Sequence, residues 1–170
     1  TIRAAIGQSV NNYAPVHMAK YVATLANGGT RYTMHMIDRV ETADGIVTEQ
    51  KTPTVESTID IKEENLKAVY QGMLAVTSGS RGTLRKVFKD FPIKVAAKSG
   101  TAQENLSRSS HTWFVCFAPY DDPQISISVM IPFGENSYSP AAVVAKDVIS
   151  EYMGLNYQPS NNYMKNTLAK

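Results

Sequence analysis

The chemistry-bearing residues of this chain are concentrated in Val95-Ala96-Ala97-Lys98-Ser99-Gly100-Thr101-Ala102-Gln103, where an apolar run ends on a lysine, two hydroxyls and a glycine. On a strand, side chains alternate between faces, so Ser99 and Thr101 share one face with hydroxyls roughly 7 Å apart and Lys98 projects from the other. Two hydroxyls and an ammonium suit a carboxylate. Gly100, lacking a Cβ, lets an extended ligand lie close against the backbone and form strand-like contacts. The bland alternative is a solvated lysine beside a strand end, and the tetrapeptide alone does not choose between the two. Nucleophilic catalysis would further require a serine within reach of a base.

The flanking sequence predicts how this stretch is held. Asp90-Phe91-Pro92 breaks a short amphipathic turn (Leu84, Val87, Phe88) and forces an extended approach, because the residue before a proline is pushed out of the helical region. A polar loop from Glu104 to Ser110 follows the stretch. Thr112 to Ala118 is then a nearly continuous aromatic and β-branched run, suited to a strand covered on both faces. Tyr120-Asp121-Asp122-Pro123 makes a turn, and Ile125, Ile127, Val129 and Ile131 alternate with Ser126, Ser128 and Met130 in a third strand. Three strands joined by short connections predict an antiparallel meander with Lys98 on its first strand. Ser139-Pro140 opens a last helix whose apolar face is read as Ala141, Val144, Ala145, Val148, Ile149 and Tyr152, with Gly154 after its end.

Upstream, Pro15 to Ala26 has helical spacing, opens on a proline without a capping side chain and stops at Asn27-Gly28-Gly29. Tyr32, Met34 and Met36 then alternate as a strand that Ala43-Asp44-Gly45 turns back onto Ile46-Val47-Thr48. Lys51 to Ser57 reads as a polar connector. Asp60 with Glu63 resembles a capping box for a helix striped by Leu66, Val69, Tyr70, Met73 and Val76/Thr77, ending at Ser78-Gly79-Ser80. The fold class is therefore α+β: three C-terminal strands plus a separate hairpin, flanked by helices. No internal repeat or second domain boundary is visible. Residues 1–154 form one unit, and residues 155–170 a polar tail with too little apolar surface to offset the entropy of ordering.

Composition removes several function classes. The 170 residues are 43% hydrophobic, enough for one ordinary core, and the formal net charge of +2 without runs of like charge argues against a nucleic-acid partner. Cys116 is the single cysteine, so no disulfide framework exists. His17, His35 and His111 stand far apart without a second ligand at metal spacing, so neither a metal nor another cofactor is expected. No apolar segment approaches the roughly 18 residues that span a bilayer. The chain opens on Thr1 without an initiator methionine, which predicts a piece of a longer protein.

Taken in order, Ile6-Gly7-Gln8-Ser9, the proline-opened helix ending Ala26-Asn27-Gly28-Gly29, Lys98-Ser99-Gly100-Thr101-Ala102, and Ser110-His111-Thr112-Trp113-Phe114-Val115-Cys116-Phe117-Ala118-Pro119 resemble the C-terminal part of the transpeptidase domain of class B penicillin-binding proteins. The resemblance runs from about residue 2 to 153. The wider superfamily is marked by serine-x-x-lysine, serine-x-asparagine and lysine-threonine-glycine motifs. The resemblance implies a partial penicillin-binding/β-lactamase-like fold whose third motif lies on an edge strand facing a nucleophilic serine. By position, Lys98 would set the electrostatics of the site. Ser99 and Thr101 would bind the carboxylate of a peptidoglycan stem peptide or a β-lactam, Gly100 would let the substrate lie against the strand, and the backbone N–H of Thr101 would be an oxyanion-hole donor. Gln103 is left open between substrate contact and solvent.

The nucleophile is absent from this stretch of sequence. No serine-x-x-lysine occurs among the 170 residues. Ser9-Val10-Asn11 and Ser160-Asn161-Asn162 fit serine-x-asparagine in form only: the first lies in the Ile-Gly-Gln stretch and the second in the polar tail. The resemblance thus implies a membrane-anchored, extracytoplasmic D,D-transpeptidase whose nucleophile lies in the missing N-terminal half of the domain, its first partner, and predicts this chain alone to be inactive. The alternatives are a β-lactamase or D,D-carboxypeptidase of the same fold, or a noncatalytic β-lactam sensor. Trp113 and His111 read as packing or support, Cys116 as a small buried hydrophobe, and Met34, Met36, Met73 and Met130 as core filling.

Overall fold

The computed structural model describes residues 2–5, 11–103, 107–134 and 139–155. Ser9, Ser160 and most of the expected tail lie outside them. In chain order the elements are α1 (Ile2–Ala5), α2 (Pro15–Ala26), β1 (Thr30–Tyr32), β2 (Arg39–Glu41), β3 (Val47–Gln50), β4 (Val55–Thr58), α3 (Glu63–Ser78), α4 (Arg85–Phe88), β5 (Ala96–Ala102), β6 (His111–Ala118), β7 (Ile125–Ile131) and α5 (Ser139–Tyr152).

The centre of the molecule is the antiparallel sheet β5-β6-β7. Ala97 lies opposite Cys116, Lys98 opposite Val115, Ser99 opposite Phe114 and Thr101 opposite Thr112. Alternation along β6 divides its residues between two cores. Phe114, Cys116 and Ala118 face one way and pack with Leu84, Phe88, Val95, Ala97 and the α5 residues Ala141, Ala142, Ala145 and Ile149. Phe117 faces the other way and packs with Ala96, Val22 of α2 and Met73 of α3. Helices thus cover both faces, α2 and α3 on one and α4 and α5 on the other.

Helix α2 matches the predicted span and carries no capping side chain at Ala14. Its C-terminus hands over to Gly29, whose φ of +105° and 2.4 Å gap between a built Cβ and the Ile59 carbonyl oxygen leave room only for glycine. Tyr70 of α3 locks the two helices together by donating its hydroxyl hydrogen to the Leu25 carbonyl, and its ring packs 5.0 Å from that of Phe117. Burial raises the Tyr70 pKa, a backbone hydrogen bond from Gly28 only partly opposing it.

Several expectations are corrected. The hairpin turn at Thr42–Ile46 is present, but β3 pairs with β2, while Met34 and Met36 lie outside any strand and are exposed. The segment read as a polar connector overlaps β4, which pairs with β1. Short strands of mixed polarity carry no clear alternation; β1 follows α2 and β4 precedes α3, so that pair is held between two helices, while β2 and β3 pair only with each other. Helix α3 begins at Glu63 after Lys62 with no side-chain cap, so the Asp60/Glu63 capping box does not form. On α5 the buried face is Ala141, Ala142, Ala145, Ile149 and Ser150, whereas Val144, Val148 and Tyr152 are exposed. The smaller residues turn inward because they let the helix approach the sheet closely.

Candidate active site

Strand β5 is an outer strand of the described sheet, paired with β6 on one side only. Ala96 and Ala97 are fully buried, and burial falls away along the strand until Lys98 and Thr101 are exposed and Ser99 and Gly100 half-buried. The polar part of the stretch therefore emerges from the core as a projecting edge. Its inner end is fixed from α3, where the buried Thr77 hydroxyl donates a 2.6 Å hydrogen bond to the Val95 carbonyl.

Register sets the direction of each side chain. Ser99 and Thr101 leave the sheet on the side of Phe114 and Thr112, and Lys98 leaves on the opposite side with Val115, as strand alternation predicts. The Lys98 ammonium folds back onto its own strand and donates to the Ser99 carbonyl. That contact holds the ammonium against the strand's own backbone beside Ser99. Gly100 lies opposite Trp113, and a Cβ there would sit 3.8 Å from the Trp113 Cβ, an ordinary contact. The glycine is thus not demanded by packing among the described residues. Gln103 follows the end of the strand and is exposed.

The far end of β5 is bordered by His111, read from sequence as packing or support, by Arg108 of the polar loop, and by Phe133 and Gly134, which sequence reading did not single out. Ala102 lies opposite His111, whose ring stands 4.8 Å from that of Phe133. Phe133 has φ +55°, donates its backbone N–H to His111 Nδ1 at 3.3 Å, and carries the Arg108 guanidinium 5.2 Å from its ring centroid. Thr112, completely buried beside them, donates its hydroxyl to the Gly134 carbonyl at 3.3 Å. No periodicity announces these contacts. The one available sign is the Phe-Gly pair just after β7, where glycine commonly marks close approach.

Cys116 is completely buried opposite Ala97, and desolvation pushes its thiol pKa far up, so it is a packing residue. Met73 is likewise core, in contrast to Met34 and Met36. Among the described residues no group of three or more histidine, cysteine or acidic side chains is placed to hold a metal ion. No described helix is long and apolar enough to cross a membrane.

The penicillin binding protein transpeptidase domain family matches residues 1–150. The chain belongs to that family. Curated relatives include Penicillin-binding protein 2B of Streptococcus pneumoniae, 29% identical over 168 residues, and Peptidoglycan D,D-transpeptidase MrdA of Haemophilus influenzae, 32% identical over 168 residues. The matches take in 92% and 90% of this chain but 24% and 26% of those proteins, so the chain spans about a quarter of the length of the relatives. Among solved structures, Pseudomonas aeruginosa PBP2 in complex with WCK 5153 is 33% identical with a TM-score of 0.70, covering 92% of this chain and 35% of that one. Penicillin-binding protein 2B of S. pneumoniae strain R6 superposes with a TM-score of 0.73 at 27% identity, covering 86% of this chain and 26% of that one. The fold is accordingly that of part of a class B penicillin-binding protein transpeptidase domain.

Proposed function

We propose that this chain is the substrate-recognition part of a peptidoglycan D,D-transpeptidase. The parent protein acts at the extracytoplasmic face of the bacterial cell membrane, anchored through a segment outside these residues. A serine outside this chain attacks the terminal D-Ala-D-Ala of a stem peptide and forms an acyl-serine as D-alanine leaves. An amine of a neighbouring stem then attacks that ester. Ser99 and Thr101 bind the substrate carboxylate, Gly100 lets the extended peptide lie along β5, and Lys98 supplies positive charge at the nucleophile. The Thr101 N–H donates to the oxyanion, a role whose removal costs roughly 3–4 kcal/mol in other enzymes. A β-lactam occupies the same edge in place of the stem peptide.

The observation that carries this reading is the open polar edge of β5, Lys98 to Thr101, in a chain of the transpeptidase family. The wholly missing serine-x-x-lysine supports the division between a recognising part and a bond-making part elsewhere in the parent. Exposed Val144, Val148 and Tyr152 on α5, together with the partial exposure of all of β7, fit an N-terminal half docking against this one. The test is covalent labelling with a fluorescent penicillin. The complete protein labels, the 170-residue chain alone does not, and Lys98→Ala in the complete protein slows acylation at least ~100-fold. Labelling of the isolated chain, or normal acylation by Lys98→Ala, would overturn the assignment.

A further inference from the structure

A polar contact beside the proposed site that the reaction scheme leaves unused joins Thr112 to Gly134. Thr112 is the register partner of Thr101, so the two side chains rise from the same face of the sheet as a directly opposed pair. Thr112 is completely buried although its neighbour across the ladder is exposed. What covers it is the segment just after β7. The Thr112 hydroxyl donates to the Gly134 carbonyl at 3.3 Å, and a Cβ built on Gly134 would stand 2.6 Å from that hydroxyl oxygen and 3.0 Å from the Thr112 Cβ. Gly134 is therefore pressed onto Thr112 as closely as a backbone can come. The preceding Phe133, held at φ +55°, places its ring against His111 at the same end of β5.

We infer that Thr112 is a positioning residue for the carboxylate-binding edge: its hydroxyl clips residues 133–134 to β6 and so sets the width of the site beside Thr101. This rests on the reading of Ser99 and Thr101 as the substrate-carboxylate cradle. Thr112 touches no substrate. It acts through Gly134, whose distance from β6 decides how closely Phe133 stands to the far end of β5. Valine has nearly the shape of threonine without the donor, and serine keeps the donor without the methyl, so the pair separates the hydrogen bond from packing.

The experiment measures acylation of the complete protein by a fluorescent penicillin over a concentration series, giving the half-saturating concentration and the limiting acylation rate separately. Thr112→Val raises the half-saturating concentration about tenfold and leaves the limiting rate within about twofold, while Thr112→Ser stays within about twofold of wild type on both. Gly134→Ala, which leaves residue 112 a threonine but forces the segment away from it by a methyl clash, moves the half-saturating concentration in the same direction. It carries the test if Thr112→Val fails to fold. Wild-type behaviour of Thr112→Val, impairment of Thr112→Ser equal to that of valine, or an unaltered Gly134→Ala each overturns the clip. Lys98→Ala run in parallel keeps the two levels distinct. Normal acylation there sinks the reading of the whole edge, whereas an inert Lys98→Ala beside a normal Thr112→Val sinks only the clip.

Discussion

The hydroxyl of Thr77, in the last turn of α3, donates to the carbonyl of Val95, the residue that leads into β5, at 2.6 Å and in a buried setting. The bond joins the end of a helix to the start of the strand that carries Lys98, and it satisfies a carbonyl with no access to water. Replacement by valine keeps the shape and leaves that acceptor unpaired. Thr77→Val is expected to destabilise the complete protein by about 1–3 kcal/mol, read as a lowered denaturant midpoint at unchanged slope. An unchanged midpoint would show that water reaches the carbonyl.

Gly29 combines a φ of +105° with a 2.4 Å approach of a built Cβ to the Ile59 carbonyl oxygen. Its own carbonyl accepts from Ile59 N–H at 2.9 Å, which fixes β4 beside the end of α2. Gly29→Ala meets both backbone strain and a clash with main chain. A loss of about 2–4 kcal/mol in unfolding free energy is expected. Gly28, with φ +81° and open space around its Cβ position, should cost less on the same change.

Cys116 is neutral in the folded protein because desolvation raises its thiol pKa. A group whose folded pKa is raised stabilises the fold below the unfolded value, and that contribution is lost as pH climbs beyond it. The thiol should therefore ignore a maleimide or aromatic disulfide reagent at pH 8 in the native protein and react fully in denaturant. Stability should decline above the ordinary thiol pKa of about 8.5 relative to a Cys116→Ala protein. Rapid native labelling would place Cys116 at the surface.

Glu56 on β4 accepts from both Lys20 of α2 and Arg31 of β1, and these hydrogen bonds, Lys20 first, lower its carboxyl pKa. The sign follows from linkage: a lowered folded pKa stabilises above the unfolded carboxylate value and loses that contribution as pH falls through the folded one. The carboxylate is fully exposed, so the effect is small and salt-sensitive. Thermal midpoints of wild type and Glu56→Gln should differ slightly at pH 7 and converge towards pH 3. A difference that widens in acid would contradict the pairing.

The long elements were legible because their burial is periodic or continuous. Helix α2 with its proline start, the β5-β6-β7 meander and the placement of Ser99 and Thr101 opposite Lys98 all follow from spacing alone. The resemblance carried by Ile6-Gly7-Gln8 and Lys98 to Ala102 reached the family, which the match over residues 1–150 shows. The short strands were misread for a physical reason. Three- and four-residue segments such as Arg39–Glu41 and Val55–Thr58 are exposed along their whole length, so no hydrophobic alternation sets their register.

What the sequence determined by itself was the family and the residue content of one strand: a lysine, two hydroxyls and a glycine, with no serine-x-x-lysine among the 170 residues. What only tertiary structure decided was which contacts hold that strand and border it. Thr77 reaches Val95 across 18 positions, and Thr112 reaches Gly134 across 22. It also decided which face of α5 turns inward, Ala142 and Ser150 rather than Val144 and Val148. Local periodicity reports how much of a segment is apolar. Which residue meets which partner depends on close packing between elements, and that is settled only when the helices and the sheet are brought together.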